Sequence, residues 1–465
     1  MQKEISFPSF IPQDVQNTFR WLIKVEEFNT IRALAESVYK FLPKDNPEVT
    51  DFMAMVLHKA KMYREAVPYA RQTVAMLPTP EAKFNLAKCL NSAAFPAEAE
   101  KVMAEVVKER PDWIDPVIDH AVYVAAQGRF DEAEAELRTL LNRVGTADRN
   151  YAVVQFNLGW HEIRAGHFKE GIRMLGIGRT LRIWGAYSFP YPQPMLTEGV
   201  DVRNKDILIV GEGGAGDEII NARFAQTLRD RGARVFFASN HKLESLLARS
   251  PGIEKAFSQK QAPPAFDYWA PAMDLPRILE LNSEDIPKNS YITPVEGLVK
   301  EWSKRIPNNG KLRIGVRWQG NALYEQDLMR SVPFNLMETF VNIPGVEVYS
   351  LQRDSGLEER PADSKVVDLA PYLNTWEDTA AAISNLDLVI SSCTSVPHLA
   401  AAMGKPVWLF CPLSSYYVWA GPDNGRAWYP QVELHRQKEF GNWEHTYKDI
   451  YSKLEKLAQT KGGAR

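Results

Sequence analysis

Residues 206–219 read DILIVGEGGAGDEI. The apolar run reads as a buried strand, and Gly211, Gly213 and Gly216 then complete G-x-G-x-x-G ahead of a helix-like stretch. A nicotinamide site of this form needs an acidic residue about 20 positions on, at the end of the second strand, to hold a ribose. That strand is RVFFASNHK, and it closes on Ser239, Asn240 and His241, with no acid. The glycines keep a physical role without the dinucleotide. They let the strand turn sharply into a helix, and they let another group approach the backbone closely. Asp217 falls in the first turn of that helix, where the helix dipole favours its ionised form and holds its pKa low. Two readings follow: a helix cap, or a charged carboxylate at a glycine-lined cleft that serves as a base.

Downstream, short apolar runs alternate with helical stretches: RVFFAS (234–239), LRIGVRW (312–318), VEVYSL (346–351), LDLVIS (386–391) and PVWLF (406–410). Such alternation predicts parallel sheets with crossover helices. PKNSYITPVEG, around residue 290, reads as a hinge between two of them. Two facing Rossmann-like halves make the GT-B architecture, whose cleft lies at the carboxyl ends of the strands.

Upstream the chain is repetitive. FNTIRALAESVYKFLP, YREAVPYARQTVAMLP and PAEAEKVMAEVVKERP end at Pro43, Pro78 and Pro111, close to the ~34-residue period of tetratricopeptide repeats. An aromatic opens each second helix at Phe28, Tyr63, Phe95, Phe130 and Phe168, followed by small residues as in YREA, FDEA and FKEG. Each helix pair has an apolar stripe too wide to bury alone, and stacking buries it. Four full repeats over about residues 47–180, with a helix pair before them, make an α-solenoid that resembles the tetratricopeptide family. The predicted organisation is a helical domain over 1–185, a proline-rich linker over 186–204, one Rossmann-like half over 205–295 and a second over 296–465. The solenoid is either a support or a surface that docks a partner.

Composition sets outer limits. A formal charge of −3 with mixed signs gives no large electrostatic footprint for nucleic acid, though a local basic groove stays open. Cys89, Cys393 and Cys411 are too far apart for a disulfide framework or zinc spacing, and a reducing compartment is expected. MQKEISFPSF lacks the apolar core of a signal peptide, and no run is long enough to span a bilayer. The expectation is a cytoplasmic protein, with contact at a membrane surface left open.

KDILIVGEGGAGDEIINAR (205–223) resembles the start of the transferase domain in glycosyltransferase family nine, the ADP-heptose–lipopolysaccharide heptosyltransferases, and especially its tetratricopeptide-linked relatives. The resemblance runs on through GVRWQGNALYEQDLMRSVPF (315–334), VEVYSLQ (346–352), LDLVISSCTSVPHLAAAMGKPVWL (386–409) and WYPQVELHRQ (428–437). It implies an inverting, metal-independent transferase that uses no cofactor beyond a nucleotide-sugar co-substrate, an ADP-sugar by family. The acceptor hydroxyl would belong to a saccharide, a protein or a modified nucleobase, and the repeats are candidates to dock it. The family's Gly-Asp base falls on Asp217, with Gly213, Gly214, Gly216 and Glu218 forming the acceptor-side loop. Glu218 reads as favourable first-turn charge rather than a second acceptor ligand, since successive helical side chains diverge. On the donor side the resemblance and the helix-start chemistry point to Arg330, Thr394, Ser395 and His398 for phosphate, with Arg317 and Gln352 near the nucleotide or sugar. The bland alternatives are surface ion pairs for the arginines and a core position for the histidine. Cys393 stands where the family commonly has Asp, and a neutral thiol cannot replace a carboxylate. That departure keeps a second reading alive, a non-catalytic interaction protein with a degenerate transferase fold.

Overall fold

The computed structural model describes residues 7–185 and 189–463. Residues 186–188, which open the predicted linker, lie outside the described residues.

Ten helices come first: α1 (Gln13–Lys24), α2 (Phe28–Tyr39), α3 (Pro47–Lys59), α4 (Tyr63–Met76), α5 (Pro80–Ser92), α6 (Pro96–Glu109), α7 (Ile114–Ala126), α8 (Phe130–Arg143), α9 (Arg149–Arg164) and α10 (Phe168–Leu181). Aromatics begin α2, α4, α8 and α10, as the repeat pattern predicts, and Phe95 stands just before α6. The starts of α3 and α5 follow from local chemistry. Asn46 and Thr79 each accept a backbone N–H of the first turn, and proline follows at the first helical position. Alanines Ala54, Ala66, Ala70, Ala87 and Ala99 are buried between helices and allow close packing.

The chain forms two compact units. One runs to Val154 and also takes in Leu323–Met329, a segment from far along the sequence. Within this unit Ser92 donates to Glu325 at 2.6 Å, and the His58 ring nitrogen lies 2.9 Å from the same hydroxyl.

The other unit holds the rest of α9, then α10 and the α/β elements. Its first part contains β1 (Asp206–Val210), α11 (Ala215–Ala222), α12 (Phe224–Asp230), β2 (Arg234–Ser239), α13 (Glu244–Leu247), β3 (Ile253–Ser258), β4 (Tyr268–Pro271) and α14 (Leu275–Ile278). The strands form a parallel sheet in the order β3-β2-β1-β4. After α15 (Glu296–Trp302) the second part contains β5 (Leu312–Arg317), the last residue of α16 (Asp327–Arg330), α17 (Phe334–Glu338), β6 (Val346–Ser350), β7 (Val367–Asp368) and α18 (Trp376–Ser384). It closes with β8 (Leu388–Ser392), α19 (Ser395–Ala402), β9 (Val407–Cys411), α20 (Tyr417–Ala420), β10 (Val432–Arg436) and α21 (Glu444–Gly463). These strands form a second parallel sheet, β10-β9-β8-β5-β6-β7. β1 and β8 are buried along almost their whole length, because parallel strands are covered on both faces and read as continuous apolar runs. The architecture is helical repeats followed by two Rossmann-like domains, the GT-B arrangement.

Side chains of α9 and α10 belong to the core of this second unit. Ile163, Phe168, Ile172 and Leu175 lie in one apolar cluster with Ile207, Ile209 and Ile219. Among the described residues no helix is long and apolar enough to cross a membrane.

Candidate functional site

The turn from β1 into α11 is shaped by its glycines and braced on several sides. Gly213 has φ +71°, a left-handed conformation that side chains rarely adopt, and a Cβ there would lie 2.6 Å from the Asp217 carboxylate. Gly216 faces α19 closely: a Cβ added to it would be 3.4 Å from the Ser395 Cα and 3.5 Å from the His398 ring. The glycine loop of the first domain and the β8–α19 turn of the second therefore meet at Gly216. The loop carbonyls are held too, with Gly213 O 2.8 Å from His241 Nε2 and Gly211 O accepting from Gln259 at 2.5 Å.

Asp217 uses both carboxylate oxygens. Oδ2 accepts the Gly214 N–H at 2.7 Å, closing back on the start of the helix. Oδ1 accepts the Tyr416 hydroxyl at 2.5 Å. The capping interaction is thus real, and it fixes the rotamer that presents Oδ1. The low pKa expected from the helix start does not hold. Burial pushes the carboxyl above its ordinary range, against the hydrogen bonds from Tyr416 and Gly214 and the nearby charges of Arg330 and His241. Desolvation by the side chains packed around this half-buried residue outweighs the helix dipole.

Glu218 is fully buried and turned toward the end of β2. Oε2 accepts from the Ser239 hydroxyl at 2.6 Å and Oε1 from the Asn240 N–H at 2.8 Å. Burial raises its pKa, and those two hydrogen bonds oppose the rise. It ties the glycine loop to the strand end where a dinucleotide enzyme would carry its ribose acid. Gly211 leaves room for it, since a Cβ there would sit 2.4 Å from Glu218 Oε1.

On the second sheet, Thr394 caps α19 in extended conformation and is buried, as is His398. Thr394 Oγ1, Ser392 Oγ and His398 Nδ1 are enclosed by protein and have no hydrogen-bond partner among the described residues. The His398 ring is stacked on Trp419 with centroids 4.9 Å apart and planes 12° from parallel. Burial and the charges of Arg223 and Arg330 lower its pKa to about 3, so the imidazole is neutral at ordinary pH. The Arg330 charge favours the ionised form of Asp217 and the neutral form of His398.

Gln352 and Arg317 hold the cleft loop. Gln352 is fully buried and accepts the Trp318 and Gln319 N–H groups at 3.2 Å each, while Arg317 donates to Gln319 O at 3.1 Å and Leu351 O at 3.2 Å. The structure thus brings together Asp217, Gly216, Ser395, His398 and Arg330, and sets Glu218, Gln352 and Arg317 to bracing their loops.

Sequence reasoning did not single out Tyr416, which lies within an aromatic-rich stretch, nor the side chains that fix the glycine loop from outside. Arg179 of α10 is buried and donates to Glu212 at 2.7 and 2.9 Å and to Asp274 at 2.9 and 3.1 Å. Arg223 is buried among the rings of Tyr291, Trp428 and Tyr429 and donates to Pro287 O, Trp428 O and Tyr291 OH. Its guanidinium thereby pins the predicted hinge around residue 290. The signal in each case is a charged residue within an apolar context, which shows only when its distant partners are known.

No family model matches the chain. The chain is similar to protein FlbA of Caulobacter vibrioides. The two are 24% identical over an alignment of 474 residues, covering 90% of this chain and 74% of that protein. Among solved structures it resembles the glycosyl transferase family 9 protein of Veillonella parvula, at 14% identity and TM-score 0.42, over 56% of this chain and 98% of that one. It also resembles the E. coli ADP-heptose lipopolysaccharide heptosyltransferase II, at 13% identity and TM-score 0.42, over 55% and 99%. An O-GlcNAc transferase mutant of Thermobaculum terrenum is similar over nearly the whole chain, 97% of this one and 94% of that one, at 12% identity and TM-score 0.38.

Proposed function

We propose that this chain is a glycosyltransferase that moves a sugar from a nucleotide-diphosphate donor to an acceptor hydroxyl, at the meeting point of the two parallel sheets. The observation that carries the reading is the trio of enclosed, unpartnered polar atoms between the end of β8 and the first turn of α19: Ser392 Oγ, Thr394 Oγ1 and His398 Nδ1. Buried polar groups normally find partners, and orphans where β8 gives way to the N-terminus of α19 support an anion site at that turn. The Arg330 charge acts on both the Asp217 carboxyl and the His398 ring, and a cation there suits an anionic ligand. In the proposed step the acceptor oxygen attacks the anomeric carbon while its proton passes to Asp217. The anomeric carbon–phosphate oxygen bond breaks, and the leaving diphosphate keeps that electron pair, held by α19 and Arg330. Attack opposite the leaving group inverts the anomeric centre, and the chain's own cation and N–H groups supply the charge stabilisation, without a metal. The family resemblance makes an ADP-sugar the first donor to try. The repeats are proposed to select a saccharide or protein acceptor.

The test is mass spectrometry of the protein incubated with a panel of nucleotide sugars, with ADP binding followed by calorimetry. The expected outcome is donor cleavage by one member of the panel and ADP affinity reduced roughly ten- to a hundredfold by Arg330→Ala. Unchanged ADP affinity removes Arg330 from the site. The second reading, a non-catalytic interaction protein, draws on Cys393, a buried thiol where the family commonly has an acid. Nucleotide binding with no cleavage of any donor would favour it.

A further inference from the structure

Tyr416 belongs to the second domain and Asp217 to the first, 199 positions apart, yet the Tyr416 hydroxyl donates to Asp217 Oδ1 at 2.5 Å. The tyrosine immediately precedes α20 and is half-buried. Its ring is clamped. Its ring centroid lies 4.6 Å from that of Tyr417, edge to face, and 6.2 Å from that of Trp160 on α9. Trp160 in turn packs edge to face on Trp184, at 6.0 Å. The clamp therefore begins in the last helix pair of the repeats and ends at the carboxylate. Oδ2 is committed to the Gly214 N–H. Each carboxylate oxygen accepts through two lone-pair directions, so Oδ1 holds the tyrosine on one and keeps the other for an incoming hydroxyl.

Resting on the glycosyltransferase reading above, we infer that Tyr416 is the positioning residue of the base: its hydroxyl aims Asp217 Oδ1 and its ring walls the acceptor hydroxyl's approach. The interaction also favours the ionised carboxylate, because a hydroxyl donated to an anion is stronger than one donated to a neutral acid. It opposes the desolvation that raises the Asp217 pKa. The other groups acting on Asp217 are the Arg330 guanidinium and the His241 ring, which also favour ionisation, and the carboxyl of Glu218, which is buried next to it in the same helix turn. Tyr417 stays neutral, its phenol pushed up by burial and by the Asp217 charge.

Tyr416→Phe keeps the ring and its clamp and removes only the hydroxyl. The titration of Asp217 is followed by carbon NMR in protein labelled at aspartate carboxyls, with the resonance assigned by its absence in Asp217→Asn. Cleavage of ADP-heptose with water as acceptor is followed against pH in the same proteins. In Tyr416→Phe both the carboxyl titration and the acid limb of the cleavage profile should move to higher pH, with ADP affinity unchanged. A carboxyl titration that does not move overturns the inference directly, and needs no activity. A titration that moves while the acid limb stays in place also overturns the positioning role, and points to failure of the reading that makes Asp217 the base. Tyr416→Leu, which loses both hydroxyl and ring wall, should move the titration the same way and in addition raise the KM for the acceptor more than it lowers kcat.

Discussion

At the scale of single residues the site turns on one carboxylate with two tasks. Asp217 closes the first turn of α11 with Oδ2 and presents Oδ1 to the cleft. Asp217→Asn keeps the size and most of the capping geometry and removes the basicity, so sugar transfer should fall ~100- to 10,000-fold while ADP binding, measured by calorimetry, stays level. Transfer should also fall as pH drops through the carboxyl's pKa, because the protonated acid cannot accept the acceptor's proton. Burial raises that pKa, so the loss should set in at higher pH than for an ordinary aspartate, as a rate–pH profile can check. Asp217 was legible in the sequence because its signal is local: a glycine run, a strand before it and a helix after it. Its titration was not, because the helix start is visible in sequence while the enclosing side chains arrive from the other domain. Tyr416 was legible only as one ring of the aromatic-rich SSYYVWAGPDNGRAWYP (414–430), a stretch that reads as packing or a cleft wall; its bond to Asp217 was illegible for the same reason, at a separation of 199 residues.

At the scale of elements the glycine loop is held by a helix of the repeats. Arg179 of α10 neutralises Glu212 within the loop and Asp274 after β4, all three almost fully buried. Removing one partner of such a group leaves buried charge uncompensated, which costs about 3–5 kcal/mol in comparable cases. Arg277 still pairs with Asp274 and the Met273 N–H still reaches Glu212, so Arg179→Met should sit near ~3 kcal/mol. Urea unfolding measures the loss, and Arg179→Met combined with Glu212→Gln should recover part of it by removing the stranded charge. Recovery of nothing would mean that packing, not charge, is what Arg179 contributes. The strands that sequence reasoning found, β1, β2, β5, β6, β8 and β9, are the apolar runs. Those it passed over have physical reasons to be quiet. β3 is an edge strand with exposed Glu254 and Lys255, β4 is four residues ending in proline, β7 is two residues long, and β10 is an edge strand broken by Glu433, His435 and Arg436.

At the scale of the molecule, the repeats carry a polar row that the proposed transfer step does not use. Asp51 of α3, Asn85 of α5 and Asp119 of α7 recur at the repeat spacing, and Asn85 donates to Asp51 at 3.1 Å. Burial raises the Asp119 carboxyl to about 6. If this face selects the acceptor, Asn85→Arg, at an exposed position, should lower transfer to the natural acceptor by roughly tenfold or more, as for loss of one well-placed polar contact. Cleavage of the donor with water should be unaffected. Equal turnover with both acceptors would make the repeats a support. The helical and α/β parts were each legible from periodicity, 3.6 within helices, the repeat period between them and alternation of strands with helices. Ile163, Phe168, Ile172, Leu175 and Trp184 nonetheless share one apolar core with both sheets. For recombination between related chains this moves the seam. A crossover placed at the proline-rich stretch after Leu181 would pair one parent's α9 and α10 with the other's sheets and mismatch that core together with the Arg179 charges. Crossovers ahead of α9 inherit both intact, so the final helix pair travels with the two sheets as part of their heritable unit.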